Sequence, residues 1–176
     1  MSFKIYRNIF TPDICAELIN MVPALSTSYT TFAGIETPRI LESTRSSDVK
    51  RHYGSTVTFY MHQLSKVESQ KYCDLIYSHI PNVTTTAVRI MHYPTGSCMT
   101  DHLDGWSEID GESNSGLIVQ LNDPQSYMGG YLNIEREFID LNVGDAVHYG
   151  YEHLHGVSKI KESERWILSV RLYEEK

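Results

Sequence analysis

Two histidines and an aspartate stand at spacings that suit a single metal ion. Asp101-His102-Leu103-Asp104-Gly105 offers an imidazole and a carboxylate two positions apart. His153-Leu154-His155-Gly156-Val157 offers further imidazoles, with His155 51 positions after Asp104. Alternate side chains of an extended strand point the same way, so His102 and Asp104 can meet one ion from one face while Leu103 turns away. A ligand so distant in sequence must come from a strand that tertiary folding brings alongside, as a barrel does. Two imidazoles and one carboxylate form a facial set for Fe(II) and leave three positions open for a bidentate ligand and dioxygen. His153 and His155 share a strand face, so spacing alone admits either as the third ligand. One His-x-Asp pair says little in a chain with eight histidines, and the surrounding residues must carry the assignment.

Arg165, ten positions after His155, is a candidate anion clamp. A guanidinium meets a carboxylate through two parallel hydrogen bonds and stays charged when buried. The competing reading is a surface residue of the charged stretch 159–165, which also holds Glu162 and Glu164. In a strand starting at Arg165, positions 165, 167, 169 and 171 share a face, so Arg171 points the same way and could meet substrate or cosubstrate.

The elements needed to position these groups can be read along the chain. Residues 3–10 alternate as a strand. Thr11-Pro12-Asp13 signals a helix start, and Ile14, Leu18, Ile19 and Val22 recur at helical spacing until Pro23. Residues 25–57 are rich in Ser and Thr and read as a polar loop or a lid with short strands. Residues 64–80 form a second helix ended by Pro81. The period then changes to two: Val83–Tyr93 is rich in β-branched residues, Pro94-Thr95-Gly96 is a turn, and 98–104 carries the ligand pair. Short strands follow at 117–121, 131–134, 146–149, 155–160 and 165–173, separated by turns such as Val143-Gly144-Asp145 and by a polar loop at 105–115 that holds Trp106 and Glu108. Helices first and strands afterwards predict an α+β protein with a barrel or double-sheet jelly roll.

At 176 residues the chain has the length of one domain with a sizeable core. The formal charge of −7 argues against general nucleic-acid binding or an anionic membrane surface. Cys15, Cys73 and Cys98 are odd in number and lack zinc-type spacing, so they read as reduced thiols of a cytoplasmic protein. No signal peptide or membrane-length apolar run is expected from the sequence. Oligomeric state is not legible at this level.

Seven pieces in order resemble the Fe(II)- and 2-oxoglutarate-dependent dioxygenases, in particular their prolyl 4-hydroxylase-like branch. They are Tyr93-Pro94-Thr95-Gly96, His102-Leu103-Asp104, Leu121-Asn122, Gly129-Gly130, Gly144-Asp145, His155-Gly156-Val157 and Arg165. The resemblance implies a double-stranded β-helix, jelly-roll and cupin-like, with N-terminal helices packed on one sheet. It implies one domain over 1–176 with a catalytic core at about 83–173. It implies Fe(II) on His102, Asp104 and His155, with His155 preferred to His153 because Gly156-Val157 and the offset to Arg165 match. 2-Oxoglutarate would chelate the metal and set its distal carboxylate on Arg165 and Tyr93, with Leu117 and Val119 around its methylenes and Arg171 nearby. Dioxygen is the other cosubstrate. The implied reaction is hydroxylation of an unactivated C–H bond, of a prolyl residue in a peptide or protein, or of a small molecule or free amino acid. The Arg-x5-Arg spacing of Arg165 and Arg171 is similar to that of nucleic-acid demethylases, but Ile167 stands where those carry Asn. Asp104 favours hydroxylation over halogenation, which needs a small residue there. The remaining rivals are a cupin-like metal protein without 2-oxoglutarate and a non-catalytic binding module.

Overall fold

The computed structural model describes residues 3–25, 29–32, 35–38, 60–105 and 112–175. Its centre is the long pair β5 (Val83–Tyr93) and β14 (Arg165–Glu174), which run antiparallel over nearly their whole length. β-Branched and aromatic residues stand on both faces of these strands because both faces are covered. Around them builds a six-stranded sheet in the order β1-β11-β7-β14-β5-β4, adding β1 (Lys4–Tyr6), β4 (Tyr60–Gln63), β7 (Ser115–Gln120) and β11 (Ala146–Gly150). A second sheet has the order β10-β9-β12-β6, from β6 (Met99–His102), β9 (Leu132–Ile134), β10 (Glu137–Phe138) and β12 (His155–Val157). β8 (Met128–Gly129) pairs with β13 (Ile160–Glu162), and β2 (Tyr29–Phe32) pairs with β3 (Ile35–Pro38).

The two apolar clusters define the layers. On one face of the large sheet, Val88, Ile90, Leu117, Val119, Leu168, Val170 and Leu172 pack with Cys15 and Leu18 of α1 (Pro12–Leu25) and Tyr72 and Ile76 of α2 (Lys66–His79). On the other face, Met91, Tyr93, Ile118 and Ile167 meet Leu132, Ile134 and Val157 of the small sheet. This is the expected jelly-roll core with helices on one side. No helix among the described residues is long and apolar enough to cross a membrane.

Both helices begin where side chains satisfy the free N–H groups of a first turn. Thr11 Oγ1 accepts from the Ile14 amide at 3.4 Å. Ser65 and Glu68 form a reciprocal capping box, with bonds of 3.3 and 2.7 Å, that stabilises α2 by about 1 kcal/mol. Contrary to expectation, α1 runs through Pro23 to Leu25. A proline so near the end forfeits one hydrogen bond only, so it need not stop the helix there. The strand expected at 155–160 is two strands, β12 and β13, because the chain leaves the small sheet after Val157 to pair with β8. The three cysteines are free, and burial pushes the Cys15 thiol up to about 11.

The Gly144-Asp145 turn ties the N-terminus to the barrel. Asp145 accepts from Arg7 Nη1 at 2.6 Å and from the amides of Asn8 and Asn142 at 2.9 Å each. Gly144 has φ +82°, and a Cβ there would collide with the Phe10 carbonyl, whose own amide donates to Gly144 O at 3.2 Å. Gly144→Ala should therefore destabilise the fold by about 1–3 kcal/mol, read as a lower midpoint in urea unfolding. An unchanged midpoint would mean that the turn relaxes without strain.

Candidate metal centre and anion pocket

His102 ends β6 and pairs directly with His155, which begins β12. Antiparallel pairing thus sets the two imidazoles side by side, with ring centroids 4.3 Å apart. Asp104 follows two residues beyond the end of β6 rather than within the strand as expected. Its carboxylate reaches the same point, with Oδ1 3.6 Å from His102 Nε2 and Oδ2 3.5 Å from His155 Nε2. One ligand atom from each of the three lies within 4.8 Å of the others, so the group could hold a metal ion. His155 Nδ1 lies 3.0 Å from the His153 carbonyl. A bond donated there fixes the tautomer that leaves Nε2 as a ligand. His153 lends its backbone, and its imidazole is not in the cluster.

The large sheet answers this cluster with Arg171 and Tyr149. Arg171 grips Asp104 with both ends of its guanidinium, Nη1 to Oδ2 and Nη2 to Oδ1, the latter at 2.9 Å. Tyr149 donates its hydroxyl to Asp104 Oδ2 at 3.0 Å, and that hydroxyl lies 3.3 Å from His155 Nε2. Burial alone would push the Asp104 carboxyl up, but the His102 hydrogen bond and the Arg171 charge hold it far below the ordinary carboxylate range. It is therefore an anion whenever a cation arrives. Burial lowers His155 from its usual value against the pull of Asp104, so it stays neutral, as a ligand must.

A second polar pocket lies farther along β14. Arg165 is 2% exposed and stands opposite Tyr93 in the ladder with β5. Its Nε donates to Gln120 Oε1 at 3.1 Å, and among the described residues its buried Nη1 has no partner. Gln120 is aimed by Asn122, through bonds to the backbone carbonyl at 2.8 Å and to Oδ1 at 3.2 Å. Tyr127 hydrogen-bonds with Arg165 and Gln120; burial pushes its phenol up and the Arg165 charge opposes that. An orphaned buried guanidinium nitrogen is costly unless a ligand meets it. A carboxylate is one ligand whose charge and oxygens could meet it.

The structure corrects one expectation. Leu117 and Val119 do not border this pocket; they belong to the helix-facing cluster. Ile118 and Gln120 face the barrel interior instead, since a one-residue change of phase sends every side chain of β7 to the other face. Arg171, expected near substrate or cosubstrate, is engaged with Asp104. Tyr93 is buried on the Arg165 side, and its hydroxyl lies 3.9 Å from Met91 Sδ. Gln120, Tyr127 and Tyr149 were not anticipated. Gln120 was one alternation step from residues that were, and the polar residue in an otherwise apolar strand was its signal. Trp106 and Glu108 lie outside the described residues, as does all of 39–59. His92 stacks on Trp166 at 3.9 Å and meets Glu164, a structural role.

No protein-family profile matches the chain, and no curated protein matches it. Solved structures do. A viral collagen prolyl hydroxylase from Paramecium bursaria Chlorella virus-1, in complex with 2-oxoglutarate, has a TM-score of 0.66 at 15% identity, covering 100% of this chain and 97% of that one. A Trichoplax adhaerens prolyl hydroxylase, bound to a hypoxia-inducible-factor peptide, has a TM-score of 0.63 at 15% identity, covering 98% and 83%. HygX from Streptomyces hygroscopicus, with nickel, 2-oxoglutarate and hygromycin B, has a TM-score of 0.64 at 11% identity, covering 98% and 82%. The fold is thus that of the 2-oxoglutarate- and Fe(II)-dependent oxygenases, prolyl-hydroxylase-like.

The depressed His155 has a testable consequence in the metal-free protein. In the unfolded chain it takes a proton near its ordinary value of 6.5, while in the fold it resists. Stability is present above that value and lost as pH falls towards the lower folded value. His92 and His148 are depressed by burial too and share the direction. The melting temperature should fall between about pH 7.5 and 5.5, and less steeply in His155→Gln. Equal slopes would remove His155 as a contributor.

Proposed function

We propose that the protein is an Fe(II)- and 2-oxoglutarate-dependent dioxygenase that hydroxylates an unactivated C–H bond, with a prolyl residue of a peptide or protein as the first substrate class. The observation that carries this reading is the buried Arg165 Nη1, unpartnered among the described residues, on the interior face of the same barrel that holds the His102/Asp104/His155 cluster. A cupin-like metal protein without 2-oxoglutarate has no use for that guanidinium. Two imidazoles and a carboxylate suit Fe(II), and the bound metal with its cosubstrates would supply the oxidative chemistry.

The chain's residues then have separate tasks. His102, Asp104 and His155 hold the metal. Arg165 receives the distal carboxylate of 2-oxoglutarate in a bidentate pair, with Tyr127 donating beside it and Gln120 fixing the plane of the guanidinium. Tyr93, opposite Arg165, borders the same pocket. Met91, Ile118 and Ile167 belong to the apolar cluster on the same interior face of the large sheet, and a low-polarity interior strengthens an ionic contact. The whole chain would act as one domain, with its catalytic core at about 83–173.

The second reading is a free amino acid or other small molecule as substrate. Arg89 favours it, since β5 turns it towards the interior, where its Nε donates to Gln63 Oε1 at 2.9 Å. Burial and the neighbouring Arg171 charge lower Arg89 to about 10, a setting that suits a polar or acidic ligand better than a neutral prolyl ring.

The test is succinate release from 2-oxoglutarate by iron-loaded protein, started with oxygen, with and without proline-rich peptides and free amino acids. Stimulation by peptides supports the first substrate class and stimulation by amino acids the second; no succinate from iron-loaded protein would end the oxygenase reading. Arg165→Met should raise the 2-oxoglutarate KM by roughly 10–100-fold, the worth of a charged hydrogen-bond pair, while leaving iron affinity nearly unchanged. Asp104→Ala should abolish turnover with the melting curve of the metal-free protein still cooperative; turnover surviving it would remove Asp104 from the ligand set.

A further inference from the structure

Tyr149, Gly116 and Arg171 form one row across three neighbouring strands of the large sheet. Gly116 pairs with Tyr149 on β11 and with Arg171 on β14. Both outer members of the row reach Asp104. Gly116 makes this possible: a Cβ there would stand 2.7 Å from both Cζ and the hydroxyl of Tyr149. The phenol crosses the space that a side chain at 116 would fill. Tyr149 also packs its ring on His155, with centroids 4.5 Å apart.

The donors are distributed unevenly over the carboxylate. Oδ2 accepts from Tyr149 and from Arg171 Nη1, whereas Oδ1 accepts from Arg171 Nη2 alone within this clamp. A carboxylate oxygen offers about two lone-pair sites. Oδ2 is therefore saturated, and the lone pair left on Oδ1 is directed to the His102 imidazole, whose Nε2 lies 3.6 Å away.

We infer that Tyr149 and Arg171 are positioning residues that hold Asp104 to a single metal-binding oxygen, Oδ1, and that Gly116 is the space this clamp requires. The inference rests on the metal reading of His102, Asp104 and His155 given above. Its functional consequence is a count of coordination positions. Three ligand atoms leave three positions of an octahedron, enough for a chelating keto acid and dioxygen. A carboxylate free to chelate would take a fourth, and the keto acid would then fill the rest. The clamp thus preserves the position that dioxygen needs. Its two halves are not redundant: Arg171 blocks both outer edges of the carboxylate, and Tyr149 closes the last site on Oδ2.

The experiment uses Co(II) as the metal probe on the full chain. Wild type, Arg171→Met, Tyr149→Phe and Gly116→Ala are loaded with Co(II), checked for cooperative melting, and examined by crystallography for the number of Asp104 oxygens on the metal. One oxygen in wild type and two in Arg171→Met, with a shift in the same direction in Tyr149→Phe or Gly116→Ala, is the expected result. Iron-loaded Arg171→Met should keep the visible charge-transfer band of chelated 2-oxoglutarate and lose succinate formation. One oxygen in wild type and in every folded variant, or two in wild type, overturns the clamp. Co(II) bound as expected but no charge-transfer band in wild type would instead defeat the cosubstrate reading and leave the clamp standing. Failure of wild type to bind Co(II) at these three residues would defeat both.

Discussion

The alternation of β14 is the constraint on which the remainder of the molecule depends. Trp166, Leu168, Val170 and Leu172 face the helices, where they join Leu18 and Ile76 in one apolar cluster. Arg165, Ile167 and Arg171 face the interior, where the first meets Gln120 and the last meets Asp104. One strand therefore supplies the packing that holds α1 and α2 and both guanidiniums of the site. It sits between β5 and β7, where it is paired on both edges and cannot slip. A slip of one residue would expose the helix-facing apolar row and bury charge against the helices, so packing energy enforces the register that the site needs.

The two sheets divide the chemistry. The small sheet brings the candidate metal ligands together through the pairing of His102 with His155, and the large sheet contributes the groups that govern charge. Asp104 lies between them. Removing a carboxylate from water is costly, and Arg171, Tyr149 and the imidazoles together offset that cost. The arrangement keeps Asp104 ionised and His155 neutral in the same cavity. Those are the protonation states that metal binding requires.

Pairing and charge also explain why residues so far apart in sequence act as one site. Arg171 is 67 positions from Asp104 and Tyr149 is 45. Each reaches the carboxylate because antiparallel strands stack their inward side chains in rows, and a glycine in the middle of one row lets two neighbours lean over it. The N-terminal strand joins the same framework through Asp145, which binds Arg7 and the turn before β11.

Much of this was legible in the residues themselves. The β-branched run of 83–93 matches β5 at both ends, and Thr11-Pro12 marks the start of α1. His102, Asp104 and a histidine at 153 or 155 could be nominated from type and spacing, while the choice of His155 and the role of Arg165 came from the family resemblance of the surrounding motifs. Local chemistry determines such things. What the tertiary structure decided was phase and partnership. Whether β7 turns Leu117 or Ile118 inward depends on which neighbour it pairs with, since both are apolar and alternation is blind to which face is which. That Arg171 meets Asp104, that Tyr127 and Gln120 share the Arg165 pocket, and that Gly116 clears a path for Tyr149 are contacts across strands far apart in the chain. Sequence spacing carries no record of them, because they exist only after sheet pairing has fixed which rows lie side by side.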